Sequence, residues 1–215
     1  MSALNFILQE DAVMVATDTL SLSGETYKPH HFQTKFFIVP HLLGVICGTG
    51  TGEFIAKWAI TVQTSMLAKS IPHLDEFTTE GLRILYKELN IPENLTSTVY
   101  QFGYDYDSGK FRGFAYRSVN NFISEELGYG FGTKPPVPNF VPTDNPIEDF
   151  KKVIAIQREE DLARPQKKRI GIGGEIHILL LEPSRYTIVQ VHRFDDYDTL
   201  YEQMCDELPA NKQNT

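Results

Sequence analysis

Two apolar runs, Phe36-Phe37-Ile38-Val39 and Leu42 to Cys47, constrain this chain more than any other feature. Strand side chains alternate between faces, so runs apolar at nearly every position need cover on both. Pro40-His41 between them reads as a turn, which makes the pair a hairpin. An earlier hairpin is predicted from Leu4 to Leu8 and Val13 to Thr17, joined by the polar turn Gln9-Glu10-Asp11. The polar stretch 19–34 between the two has no readable geometry.

From Gly52 the period becomes helical. Phe54, Ile55, Trp58, Ala59, Val62 and Met66 share one face, and Pro72 closes the segment. Asp75 is expected to cap a second helix carrying Phe77, Leu82, Leu85, Tyr86 and Leu89, ended by Pro92. Two helices thus follow four strands. Thr98 to Tyr104 and Phe111 to Tyr116 form a hairpin around Asp107-Ser108-Gly109. The stretch 128–146, rich in Gly and Pro, is expected to be an irregular excursion over the surface. Asn145-Pro146-Ile147-Glu148 then opens a helix with cap, first-turn proline and box glutamate, which ends before Pro165. Glu175 to Leu181 and Thr187 to Val191 make a last hairpin around Pro183-Ser184, and the acidic tail has room for one short helix.

Hairpins rather than alternating strand–helix units dominate, so the expected class is α+β. Two mainly antiparallel sheets stacked face to face, with helices outside, would cover both faces of the apolar strands. The expectation is a four-layer αββα sandwich forming one domain over 1–215.

The formal net charge of -8 disfavours nucleic acid and anionic lipid as partners, and the lone dense basic run, Lys167-Lys168-Arg169, has no interleaved aromatics. No stretch approaches the ~20 apolar residues that cross a bilayer, and the amino terminus lacks a cationic leader, so a cytoplasmic location is expected. Cys47 and Cys205 form no metal-ligand pattern, and no histidine pair has ligand spacing beside a carboxylate, so neither metal nor cofactor is expected. His177 is assigned to the outward face of its strand. Gly48-Thr49-Gly50-Thr51-Gly52 between a strand and a helix would suit a phosphate loop in a parallel α/β domain. It lacks the glycine or Gly-Lys of the known motifs, and Glu53 adds a negative charge there.

Laid end to end, Ser2-Ala3-Leu4, Val13 to Asp18, Lys35 to Ile38 and Leu42 to Thr49 resemble the opening of proteasome β subunits and related bacterial peptidase rings. Ile172-Gly173-Gly174-Glu175 resembles that family's penultimate-hairpin motif, and Leu127-Gly128-Tyr129-Gly130 its glycine-rich segment. The resemblance implies an N-terminal-nucleophile hydrolase. Ser2 would be the nucleophile after loss of Met1, its own α-amine taking the hydroxyl proton. Lys35 would stabilise developing negative charge, Asp18 would orient Lys35, and the Gly48 N–H would donate in the oxyanion hole. The substrate would be a peptide or other amide, and self-association through outer helices is implied. The family's outer aspartate and second serine are replaced by Arg169 and Ile172, and Tyr129 stands where a serine is common. A non-catalytic subunit with an assembly or binding role is therefore the alternative.

Overall fold

A computed structural model describes residues 2–24, 26–92 and 94–206 of the chain. Strands β1 (Leu4–Leu8) and β2 (Val13–Asp18) form the first hairpin, whose turn is closed by the Gln9 N–H donating to the Ala12 carbonyl at 2.9 Å. A small two-stranded sheet, β3 (Leu20–Leu22) with β4 (Pro29–Phe32), occupies the polar stretch that follows. β5 (Phe36–Val39) and β6 (Gly44–Thr49) form the second hairpin. Its connection is one helical turn over Pro40–Leu42, and Leu43 takes a left-handed conformation at φ 40°, so β6 starts at Gly44.

The paired helices are α1 (Gly52–Ser65) and α2 (Ile71–Glu88). β7 (Thr98–Asp105), β8 (Lys110–Arg117), β9 (Ser124–Glu126) and β10 (Gly130–Lys134) follow, then α3 (Pro146–Leu162). β11 (Glu175–Glu182), β12 (Arg185–Arg193) and α4 (Tyr197–Asp206) complete the described chain. The strands make two five-stranded sheets, β10-β1-β2-β11-β12 and β5-β6-β7-β8-β9, besides the small one. Every pairing is antiparallel, so the class is α+β with four α-helices among the described residues. The parallel arrangement that a phosphate-loop domain requires is thereby overturned.

Three apolar clusters account for the double-sided cover. Phe54, Trp58, Leu74 and Leu82 of α1 and α2 pack with Ile46, Val99, Phe114 and Tyr116. Leu4, Leu8, Val15 and Leu179 of the first sheet share a cluster with Val45, Phe102, Phe111 and Ala115 of the second. Phe150 and Ile154 of α3 pack with Ala3, Ala16, Ile176 and Ile178. The alternation is visible in β2, where Val13 and Val15 face the other sheet and Ala16 faces α3. A buried amide pair, Asn5 with Gln157 at 2.9 and 3.0 Å, ties α3 to β1. Among the described residues no helix is long and apolar enough to cross a membrane.

Several local expectations need correction. Pro72 does not close α1, which ends at Ser65; it lies in the first turn of α2, where a missing N–H costs nothing. Ser70, not Asp75, caps α2 by accepting from the His73 N–H at 3.4 Å, while Asp75 accepts from Tyr116 and Ser124. Six strands rather than four precede the helices. The glycine-rich stretch contains β10, which pairs with β1 and places the first strand inside its sheet. Gly132 is needed there, because a Cβ would strike the Phe6 ring of the neighbouring strand. Asn145 caps α3 as the sequence predicts, accepting from the Glu148 N–H at 3.4 Å.

Candidate functional site

β2 ends on Asp18, and the segment entering β5 carries Lys35, so the two strand ends meet where the sheets come together. The Lys35 ammonium donates to Asp18 Oδ1 at 2.9 Å and to the Leu20 carbonyl at 2.5 Å. Both side chains are almost sealed from solvent, at 5% and 0% exposure. Asp18 accepts twice more, from the Ala3 N–H at 3.0 Å on the same oxygen and from the Gly173 N–H at 3.1 Å on the other. One carboxylate therefore joins the start of the chain, the Lys35 side chain and the segment before β11.

Burial dominates the electrostatics of the pair. It lowers the proton affinity of Lys35, and the Asp18 carboxylate only partly restores it. It raises that of Asp18 against the pull of Lys35 and the two backbone donors.

Ser2 is half-buried and directly precedes the Ala3 N–H that holds Asp18. Gly48 lies in β6, and carrying the Phe36↔Cys47 register one step further sets Lys35 beside it. A Cβ at Gly48 would collide with the Thr98 carbonyl and approach Ile55 Cδ1 to 2.9 Å, which explains a glycine at this point. The structure thus brings Asp18 and Lys35 into contact, puts Ser2 one residue from their hydrogen-bond network, and sets Gly48 alongside.

Other residues fall elsewhere. Gly130 pairs with Leu8, at the end of β1 opposite Ala3, so the Leu127-Gly128-Tyr129-Gly130 segment lies about 17 Å along the strand from the Asp18 pair. Arg169 donates to the Arg164 and Leu162 carbonyls at the end of α3, and Ile172 is buried in the cluster beneath that helix. His177 stands on the face of Leu179 and Leu181, which belongs to the inter-sheet cluster, and hydrogen-bonds Glu175 at 3.0 Å. It does not point outward.

Sequence reasoning missed three contributors. Asp161, 2% exposed, accepts from the N–H groups of Ile170 and Gly171 at 2.6 and 2.9 Å, and so fixes the segment that delivers Gly173 to Asp18. No local pattern announces this role, because both partners lie beyond α3. Thr17 is fully buried and its hydroxyl has no partner among the described residues. Lys134 stands opposite Leu4 in the register of β10 and β1, a position hidden while that stretch reads as irregular.

Among the described residues no group of three or more His, Cys, Asp or Glu side chains is placed to hold a metal ion. No protein-family model matches the chain, and no curated protein matches it.

Proposed function

We propose that the chain is an amide hydrolase of the N-terminal-nucleophile type, an αββα sandwich like a proteasome β subunit, with Ser2 as nucleophile once Met1 is removed. The observation that carries this is the sealed Asp18–Lys35 pair hydrogen-bonded to the N–H next to Ser2. The layering of clusters, helices against one sheet, sheet against sheet, and α3 against the other, supports the sandwich.

A free α-amine with an ordinary pKa near ~8 can take the Ser2 hydroxyl proton as Oγ attacks the substrate carbonyl. The amine returns that proton to the departing nitrogen, the C–N bond breaks, and an ester forms on Ser2. Water then attacks the ester, with the amine again accepting a proton, and the acid is released. Lys35 supplies a fixed positive charge beside the developing oxyanion, Asp18 holds Lys35 in place, and the Gly48 N–H donates to that oxyanion. Peptides or other amides are the substrate class, and copies of the chain associate through their outer helices, which sedimentation tests.

The test combines intact mass, which reads removal of Met1, with a covalent probe for N-terminal nucleophiles. Wild type is expected to be labelled and Ser2→Ala is not; labelling of Ser2→Ala defeats the proposal. A non-catalytic subunit of the same architecture is favoured by one observation. At the positions of the family's outer polar residues, Arg169 caps α3 and Ile172 fills core, so neither braces the amine. Absence of labelling in correctly processed wild type decides for it.

A further inference from the structure

We propose that Lys134 and Arg117 form the seat for a carboxylate carried by the amide substrate, at the mouth of the gap between the two large sheets; this deepens, and rests on, the hydrolase assignment to Ser2. Side chains directly opposite one another in a ladder share a face. Lys134 pairs with Leu4, and Leu4 belongs to the inter-sheet cluster, so Lys134 is directed into the gap. Arg117 follows Phe111 and Ala115 at alternate positions of β8, both in that cluster, so it enters the gap from the other sheet.

The two lie at the same level. Gly113 approaches Leu8 Cδ2, with 3.1 Å to a Cβ built on it, and Arg117 is four residues beyond Gly113 just as Leu4 is four residues before Leu8. The antiparallel pairings Thr49↔Thr98 and Thr98↔Arg117 place Arg117 at the β6 end that lies beside Lys35. Two residues back from Leu4 along the same alternation comes Ser2.

The charges at this mouth do not balance. Arg117 is paired with Glu125, whereas Lys134 has no carboxylate partner among the described residues. Partial burial and the nearby Arg117 charge both lower the proton affinity of Lys134, the effect expected of a cation lacking a counter-ion. A carboxylate placed between them relieves the repulsion and takes charge-assisted hydrogen bonds from both.

The test uses N-acetylglutamate α-amide, whose one carboxylate is the side chain's, its neutral analogue N-acetylglutamine α-amide, and inorganic phosphate, titrated at fixed ionic strength into wild type, Ser2→Ala, Lys134→Gln and Lys134→Arg. N-acetylglutamate α-amide is expected to bind wild type and Ser2→Ala alike and N-acetylglutamine α-amide at least about tenfold more weakly. Lys134→Gln loses that discrimination and Lys134→Arg retains it. Thermal melts confirm that each variant is folded. Equal binding of the two acetyl compounds, failure of both to bind, phosphate binding in preference to N-acetylglutamate α-amide, or unchanged discrimination in Lys134→Gln overturns the proposal. Because Ser2→Ala serves as a binding protein here, absence of probe labelling in correctly processed wild type removes the hydrolase assignment without removing the seat.

Discussion

Breaking the Asp18–Lys35 pair from either side has consequences of opposite pH dependence. In Lys35→Met, Asp18 keeps the Ala3 and Gly173 N–H donors but loses its counter-charge. In Asp18→Asn, the Lys35 ammonium keeps only uncharged oxygens, the Leu20 carbonyl and the new amide. Removing one member of a buried pair costs about 3–5 kcal/mol, because the survivor is left charged in a site that excludes water. Both single variants are expected in that range near neutrality, and the double variant should cost well below their sum.

The signs follow from proton counts. Burial already holds the Asp18 carboxyl above its ordinary 3.8, and loss of Lys35 moves it further up. Native Lys35→Met therefore keeps a proton that the unfolded chain has given up, so its deficit shrinks as pH falls through the folded value. Lys35 already lies below its ordinary 10.5, and Asp18→Asn lowers it further. There the unfolded chain holds the extra proton, so the deficit shrinks as pH rises from the folded value towards 10.5. Urea denaturation of the four proteins across pH reads both trends. Additivity of the single variants within about 0.5 kcal/mol, or parallel pH profiles, would falsify the account of a sealed, mutually dependent pair.

Asp161→Asn is expected to cost about 2 kcal/mol, since an amide can satisfy only one of the two close N–H groups, and to slow probe labelling at Ser2 through the displaced Gly173; denaturation midpoints and labelling rates check both. Gly81→Ala, ordinarily worth about 1 kcal/mol of helix stability, is expected to destabilise, because its Cβ meets the buried Trp58 ring at 2.6 Å. A higher melting temperature for that variant refutes the packing described for α2. Native protein is expected to react with a thiol reagent at Cys205 alone, because Cys47 is buried and burial pushes its thiol far up; mass mapping with and without urea distinguishes the two.

Local chemistry made some elements readable. The apolar runs of β1, β2, β5 and β6 and the turns between them lie within a few residues of one another, so periodicity alone locates them. Pro72 misled because proline both stops a helix and fits its first turn; the Ser70 cap decides, and Ser70 looks unremarkable beside Asp75. β10 was obscured because Gly130 and Gly132 weaken strand propensity, while the demand for small residues comes from a ring on β1 that is distant in sequence. At the site, Asp18 and Lys35 were found through spacing shared with a known pattern. Asp161 acts through N–H groups beyond the end of α3, and Thr17 and Lys134 come onto one face of one sheet only because β1 pairs with both β2 and β10, so no local pattern marks any of the three.

The order of strands in the two large sheets bears on how the chain is made. β5 to β9 are consecutive, so that sheet can close once residue 126 has emerged from the ribosome. The sheet carrying Asp18 instead clasps the first strands between β10 and β11, so Gly173 reaches Asp18 only after about four-fifths of the sequence has been synthesised. Non-local closure of this kind is slow and leaves apolar strands exposed meanwhile. Stalled nascent chains should therefore resist protease in their middle segment first, with the Ser2 end cut readily until β11 is out, so that the surroundings of Asp18 and Lys35 take shape last.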